Sequence, residues 1–114
     1  LNYSTYRKAL RSFGRIIEMA PQFAEGWNKR ATLYYHIREY RRSIDDIKET
    51  LRLEPRHFGA WSGLGLVSLA QENYPGALVA FKKALSINPY IPNIRRYVQK
   101  LEDWQRREDE ENAI

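Results

Sequence analysis

Apolar residues fall at helical spacing along almost the whole chain, and short polar breaks interrupt them. Leu78, Phe81 and Leu85 lie on one side of a segment from Pro75 to Ile87, and Ser62 to Gln71 keeps the same period. Ala20-Pro21, Glu54-Pro55 and Asn88-Pro89 each stop a helix, because the residue before a proline is pushed out of the helical region. Pro75 has the opposite role. It follows the Glu72-Asn73 turn and sits in a first helical turn, where its missing N–H is tolerated. The pattern predicts six helices, at about 3–20, 24–38, 40–53, 58–71, 74–87 and 92–111. The last begins at Pro92 and carries an apolar stripe of Ile94, Tyr97, Val98 and Leu101, then Trp104 or Gln105. Glu102-Asp103 and the run Arg106 to Glu111 make its distal part polar nearly all round.

The pattern returns after 34 residues. Trp27, Ala31, Tyr34, Tyr40, Ile47, Thr50 and Pro55 each stand 34 before Trp61, Gly65, Ser68, Tyr74, Phe81, Ala84 and Pro89. One period earlier, Tyr6, Ala9, Phe13, Ile16 and Pro21 fall in the same register. A bulky anchor is followed by a small residue, an aromatic, a second small residue, an apolar one and a proline. This order resembles the tetratricopeptide repeat, a helix-turn-helix unit of 34 residues. The match is fullest at Trp61, Leu64, Gly65, Tyr74, Ala77, Phe81, Ala84 and Pro89, whereas Arg30, Ser43 and Thr50 depart from it.

The resemblance implies an all-α fold, a right-handed superhelical stack of antiparallel helix pairs. One such unit cannot bury its own apolar face, so neighbours stack into a continuous core. It divides the chain into the second helix of a truncated repeat (3–23), two repeats (24–57 and 58–91) and a C-terminal capping helix (92–114), in which Arg95 takes the anchor position. Ala31, Gly65 and Ala77 are expected where helices cross closely, since a large side chain there would overpack. The first residue is Leu and the chain opens inside a repeat, as an excised piece would.

Composition narrows the chemistry. The 114 residues make one domain's worth of chain, 43% hydrophobic, with formal net charge +5. That charge is graded, from +3 over residues 1–23 to −1 over 92–114, rather than gathered in one patch. No cysteine is present, which fits a reducing intracellular compartment, and no apolar run reaches membrane-span length. His36 and His57 belong to no metal-ligand spacing, and no cofactor motif appears. Asp45-Asp46 reads as part of a solvated helix face, surrounded at salt-bridge spacing by Arg41, Arg42, Lys48 and Glu49. The Gly63-Leu64-Gly65 stretch lies within a helix and so makes no phosphate loop. Catalysis has no support in these residues.

The resemblance implies a protein-interaction module whose first helices line a concave groove and whose second helices face outward. Carried onto this chain, the groove takes Asn28, Lys29, Thr32, Tyr35 and His36, then Ser62, Gly63 and Leu66, then Arg96, Tyr97 and Lys100. Its small, apolar middle suits a peptide that places an apolar side chain over Gly63 and Leu66, with acidic groups near Lys29, Arg96 or Lys100. The family's carboxylate clamp for acidic chaperone tails wants Lys, Asn, Asn, Lys and Arg where this chain has Asn28, Thr32, Gly63, Asn93 and Tyr97. All five depart, which speaks against that partner. Two alternatives stand beside the groove. Arg7, Lys8, Arg11, Arg15, Arg38, Arg41 and Arg42, interleaved with Tyr3, Tyr6 and Tyr40, could meet RNA phosphates, although no base-reading code accompanies them. Leu10, Phe13 and Ile17 would form an uncovered apolar strip on which a second copy could pair as a homodimer.

Overall fold

Each helix starts and stops where the chain supplies a cap, a proline or a reversal of the backbone. The computed structural model describes residues 2–113, and among them there are six α-helices and no strand. These are α1 (Tyr3–Met19), α2 (Ala24–His36), α3 (Tyr40–Leu53), α4 (Phe58–Ala70), α5 (Tyr74–Ile87) and α6 (Ile94–Asn112). The side chains of Asn2, His57 and Asn73 accept backbone N–H bonds at the starts of α1, α4 and α5. Ala20, Glu54 and Asn88 leave the helical region, each ahead of its proline.

The two tight turns are the same turn. Arg38 (φ 63°) and Glu72 (φ 60°) take the left-handed conformation, and the following N–H groups of Glu39 and Asn73 reach back to the carbonyls of Tyr34 and Ser68, each at 2.8 Å. This reversal ends α2 at His36 and α4 at Ala70, earlier than the apolar pattern suggests. Asn93 (φ 67°) likewise delays α6 to Ile94, so Pro92 lies outside the helix it was expected to open.

α2 pairs with α3 and α4 with α5, while α1 and α6 pack at the two ends of the row. The result is an elongated body of 55 × 29 × 21 Å, an all-α solenoid whose core runs along a line. One part of the core joins Ala31, Ile47, Ala60 and Val67, and the other joins Ala77, Phe81, Ile94, Val98 and Leu101. Gly65 is at a close approach, since a Cβ there would overlap the fully buried Phe81 ring. The departures from the repeat pattern are accommodated by hydrogen bonds. Ser43 Oγ donates to the Ala31 carbonyl and Thr50 Oγ1 to the Asp46 carbonyl, both at 2.8 Å, so neither buried hydroxyl is orphaned. Trp27 and Trp61 donate their indole N–H groups to the carbonyls of Pro21 and Pro55 at 3.0 Å. Arg95 makes the same bond to Pro89 with its guanidinium, at 3.1 and 3.2 Å. The polar end of the anchor is therefore conserved in role although its ring is gone.

The solvated reading of Asp45-Asp46 changes at its second member. Asp46 is not solvated: it is 4% exposed and holds Arg30 through two bonds of 2.7 and 2.9 Å. Of the expected self-association strip, Ile17 is covered. Ile17 is 8% exposed and lies beside Gly26 of α2, and Leu10 and Phe13 are half-buried. The large apolar side chains that α1 leaves in solvent are Tyr3, Ile16 and Met19.

Candidate partner-binding groove

α2 and α4 lie side by side, and the missing side chain of Gly63 leaves a gap between them. Asn28, Thr32, Tyr35 and His36 of α2 form one wall, Gly63 and Leu66 of α4 the other, and Ala31, Ser43 and Ile47 complete the lining of a pocket of about 80 Å³. A Cβ at Gly63 would meet only Ile47 Cδ1 at 3.7 Å, so the backbone there is open toward the pocket and uncrowded. Tyr35 is held by edge contact with His36 (5.4 Å between ring centres) and a tilted contact with Tyr40 (6.1 Å). Thr32 donates its hydroxyl proton to the Asn28 carbonyl at 3.0 Å.

A second, wider depression of about 300 Å³ lies where α4, α5 and α6 meet, lined by Leu69, Tyr74, Tyr97, Lys100, Leu101 and Trp104. Stacking of Tyr97 on Phe81 and edge contact of Trp104 with Tyr74, both at 5.2 Å, make its aromatic wall rigid. The expected groove residues thus divide. Six of them line the first pocket, Tyr97 and Lys100 line the second, and Lys29 and Arg96 are exposed beside neither. The Ser62 hydroxyl is buried with no hydrogen-bond partner among the described residues.

Ser43 and Ile47 escaped sequence reasoning because second helices were assigned outward, yet α3 reaches the pocket from behind. Tyr74 was visible only as a packing aromatic, and Trp104 only as one of two endings to the α6 stripe.

At the mouth end of α4, His57 joins the two helix pairs. Its Nδ1 accepts the Ala60 N–H at 3.0 Å, which leaves Nε2 to donate to Glu25 on α2 at 3.1 Å. Burial works to raise the Glu25 carboxyl, but the hydrogen bonds from His57 and Asn28 and the nearby charges outweigh it and hold the group below its ordinary value. Among the described residues, no group of three or more His, Cys, Asp and Glu side chains is placed to hold a metal ion, and no helix is long and apolar enough to cross a membrane.

Comparison with known proteins bears on the same residues. A family model described as tetratricopeptide repeat matches residues 29–92. A TPR repeat-containing protein of Rhizobium etli is 41% identical over 81 residues, which cover 71% of this chain and 40% of that protein. The small glutamine-rich tetratricopeptide repeat-containing protein 2 of Mycosarcoma maydis is 27% identical over 84 residues, covering 74% of this chain and 24% of that protein. The chain spans less than half the length of these relatives. Among solved structures, the first TPR of Spaghetti (RPAP3) bound to HSP90 peptide SRMEEVD superposes with a TM-score of 0.83 at 16% identity, over 90% of this chain and 81% of that one. The Sgt2 TPR domain from Aspergillus fumigatus gives 0.81 at 22% identity, over 97% and 73%. At such identities the likeness establishes fold rather than partner. The 34-residue register and the stacked helix pairs have one explanation that the family match shares: the chain belongs to the tetratricopeptide repeat family.

Proposed function

We propose that this chain is a non-catalytic protein-interaction module, an adaptor or scaffold piece, that receives a partner peptide on its concave side. The units of the module are residues 24–57 and 58–91, with 3–23 as a partial repeat before them and 92–114 as a cap. The observation that carries the reading is the pocket between α2 and α4, narrow and apolar, whose opening depends on the absence of a side chain at Gly63. An apolar side chain of the partner enters this pocket, and acidic groups farther along the peptide meet Lys29, Arg96 or Lys100, all exposed. Gly63→Arg tests this. Partners captured on the immobilised chain are expected to be lost from the variant, with its helix content unchanged; undiminished capture would move the site elsewhere.

The partner in this reading is not an acidic chaperone tail, because Asn28, Thr32, Gly63, Asn93 and Tyr97 replace every clamp residue. The heptapeptide SRMEEVD, bound in the first TPR of Spaghetti (RPAP3), serves as the probe. Calorimetric titration is expected to show no saturable binding, and micromolar affinity would reverse the conclusion.

A further inference from the structure

The two helix pairs differ on the side of the array turned away from the concave pocket. In the first pair, the cleft between α2 and α3 is filled by the protein's own side chains. The Arg30 guanidinium, bonded to Asp46, lies 5.4 Å over the Trp27 ring and 5.7 Å over Tyr34, and Arg42 lies 5.9 Å over the same Tyr34 ring. Thirty-four residues later the same positions hold Leu64, Ser68, Gly76 and Ala80. Trp27 has its counterpart in Trp61, but each of the other filling groups gives way to a shorter or uncharged one. What remains between α4 and α5 is an open cleft of about 440 Å³, with Trp61 at one end and Val79, 67% exposed, on its rim.

We propose that this outer cleft is a second docking surface, and that its occupant is a partner segment carrying an aromatic residue next to an acidic one. The aromatic ring takes the volume that Tyr34 fills in the first pair, against Trp61 and Val79, where an almost wholly apolar lining favours a flat apolar group. The carboxylate meets Lys83. Gly76, Val79 and Lys83 follow one another at three- and four-residue steps, so Lys83 lies on the same face of α5, one turn beyond the residues that line the cleft. Lys83 is exposed, and no carboxylate of the described residues pairs with it. Trp61, Leu64 and Ser68 occupy the opposite side of α4 from Gly63 and Leu66, since a helix turns once every 3.6 residues. The two surfaces are therefore separable, and failure of either leaves the other standing.

The test is ¹H–¹⁵N NMR of the intact chain titrated with the blocked dipeptide acetyl-Tyr-Glu-amide. Saturable millimolar shifts are expected at the Trp61 indole N–H and the Gly76 and Val79 amides, with none at Gly63 or Leu66. Acetyl-Ala-Glu-amide should produce no such shifts, and Lys83→Ala should weaken binding by about threefold, as for an exposed ion pair. Val79→Asp installs on this exposed rim the residue that the first pair carries at the same position, Asp45, and should abolish the response without unfolding the chain. Absence of shifts at the three reporters, shifts confined to the Gly63 side, or an unchanged response in Val79→Asp would each overturn the proposal. So would equal binding of the alanine dipeptide.

Discussion

A side chain at Gly65 would run into the Phe81 ring, while one at Gly63, two residues earlier on α4, would meet only Ile47 Cδ1 at 3.7 Å. The ring cannot swing away because Phe81 is fully buried. Gly65→Ala is therefore expected to lower stability by about 2 kcal/mol through overpacking, measured by urea unfolding. Gly63→Ala should leave it unchanged or raise it by about 0.5 kcal/mol, as glycine is a poor helix former. Equal effects at the two positions would contradict the packing described. Glu25 gives a pH-dependent counterpart. Its carboxyl is held below 4.5 in the folded chain, so its contribution is complete above 4.5 and is lost as pH falls through the lowered value. Stability should fall less steeply in Glu25→Gln than in the parent between about pH 5 and pH 3, and parallel curves would remove His57–Glu25 as an acid-sensitive link.

Between elements, the Arg30–Asp46 pair holds α2 to α3 where α4 and α5 use Leu64 and Ala80. The Asp46 hydrogen bonds raise the Arg30 guanidinium further above its usual value, burial opposes this, and the Asp46 charge adds to the first effect. Removing one partner strands a buried charge. Arg30→Leu alone should cost about 3 kcal/mol, with Asp46 left unpaired, whereas Arg30→Leu with Asp46→Ala, which copies the second pair, should fall within about 1 kcal/mol of the parent. Chemical denaturation of the two variants decides it: if the double variant is no better than the single one, the second pair is not a workable substitute for the first. The apolar pattern of α3 could not reveal this pairing, because Arg41, Arg42 and Lys48 offer closer partners in sequence and only the crossing of α2 over α3 brings Arg30 within reach.

Across the whole molecule, burial is uneven along the row. α1 has a single buried residue, Ile17, while α3 has Ser43, Asp46, Ile47 and Thr50, and α5 has Ala77, Ala80, Phe81 and Ala84. The register makes the contrast direct: Ile16, 40% exposed, corresponds to the fully buried Thr50 and Ala84. In a stack held by neighbour contacts, local opening follows local burial. Amide hydrogen exchange of this chain should be fastest in α1 and slowest in α3 to α5, and uniform protection along all six helices would show instead one cooperative unit. At the other end, Ile94, Val98 and Leu101 of α6 join the core around Phe81, so the helix covers the second pair as its apolar stripe suggested.

What the sequence determined by itself was the period and the punctuation. The 34-residue spacing of Trp27 and Trp61, the prolines that stop α1, α3 and α5, and the small residues at Ala31, Gly65 and Ala77 follow from backbone geometry and from close helix crossings that recur with the period, so they are legible in the sequence. Tertiary structure decided which positions of each helix meet a neighbour. It buried Asp46 against Arg30, turned Ile17 inward, brought Ser43 and Ile47 to the back of the concave pocket and left the cleft beside Trp61 open. Each of these depends on contacts between different helices, and the periodicity of a single helix holds no information about the face of another.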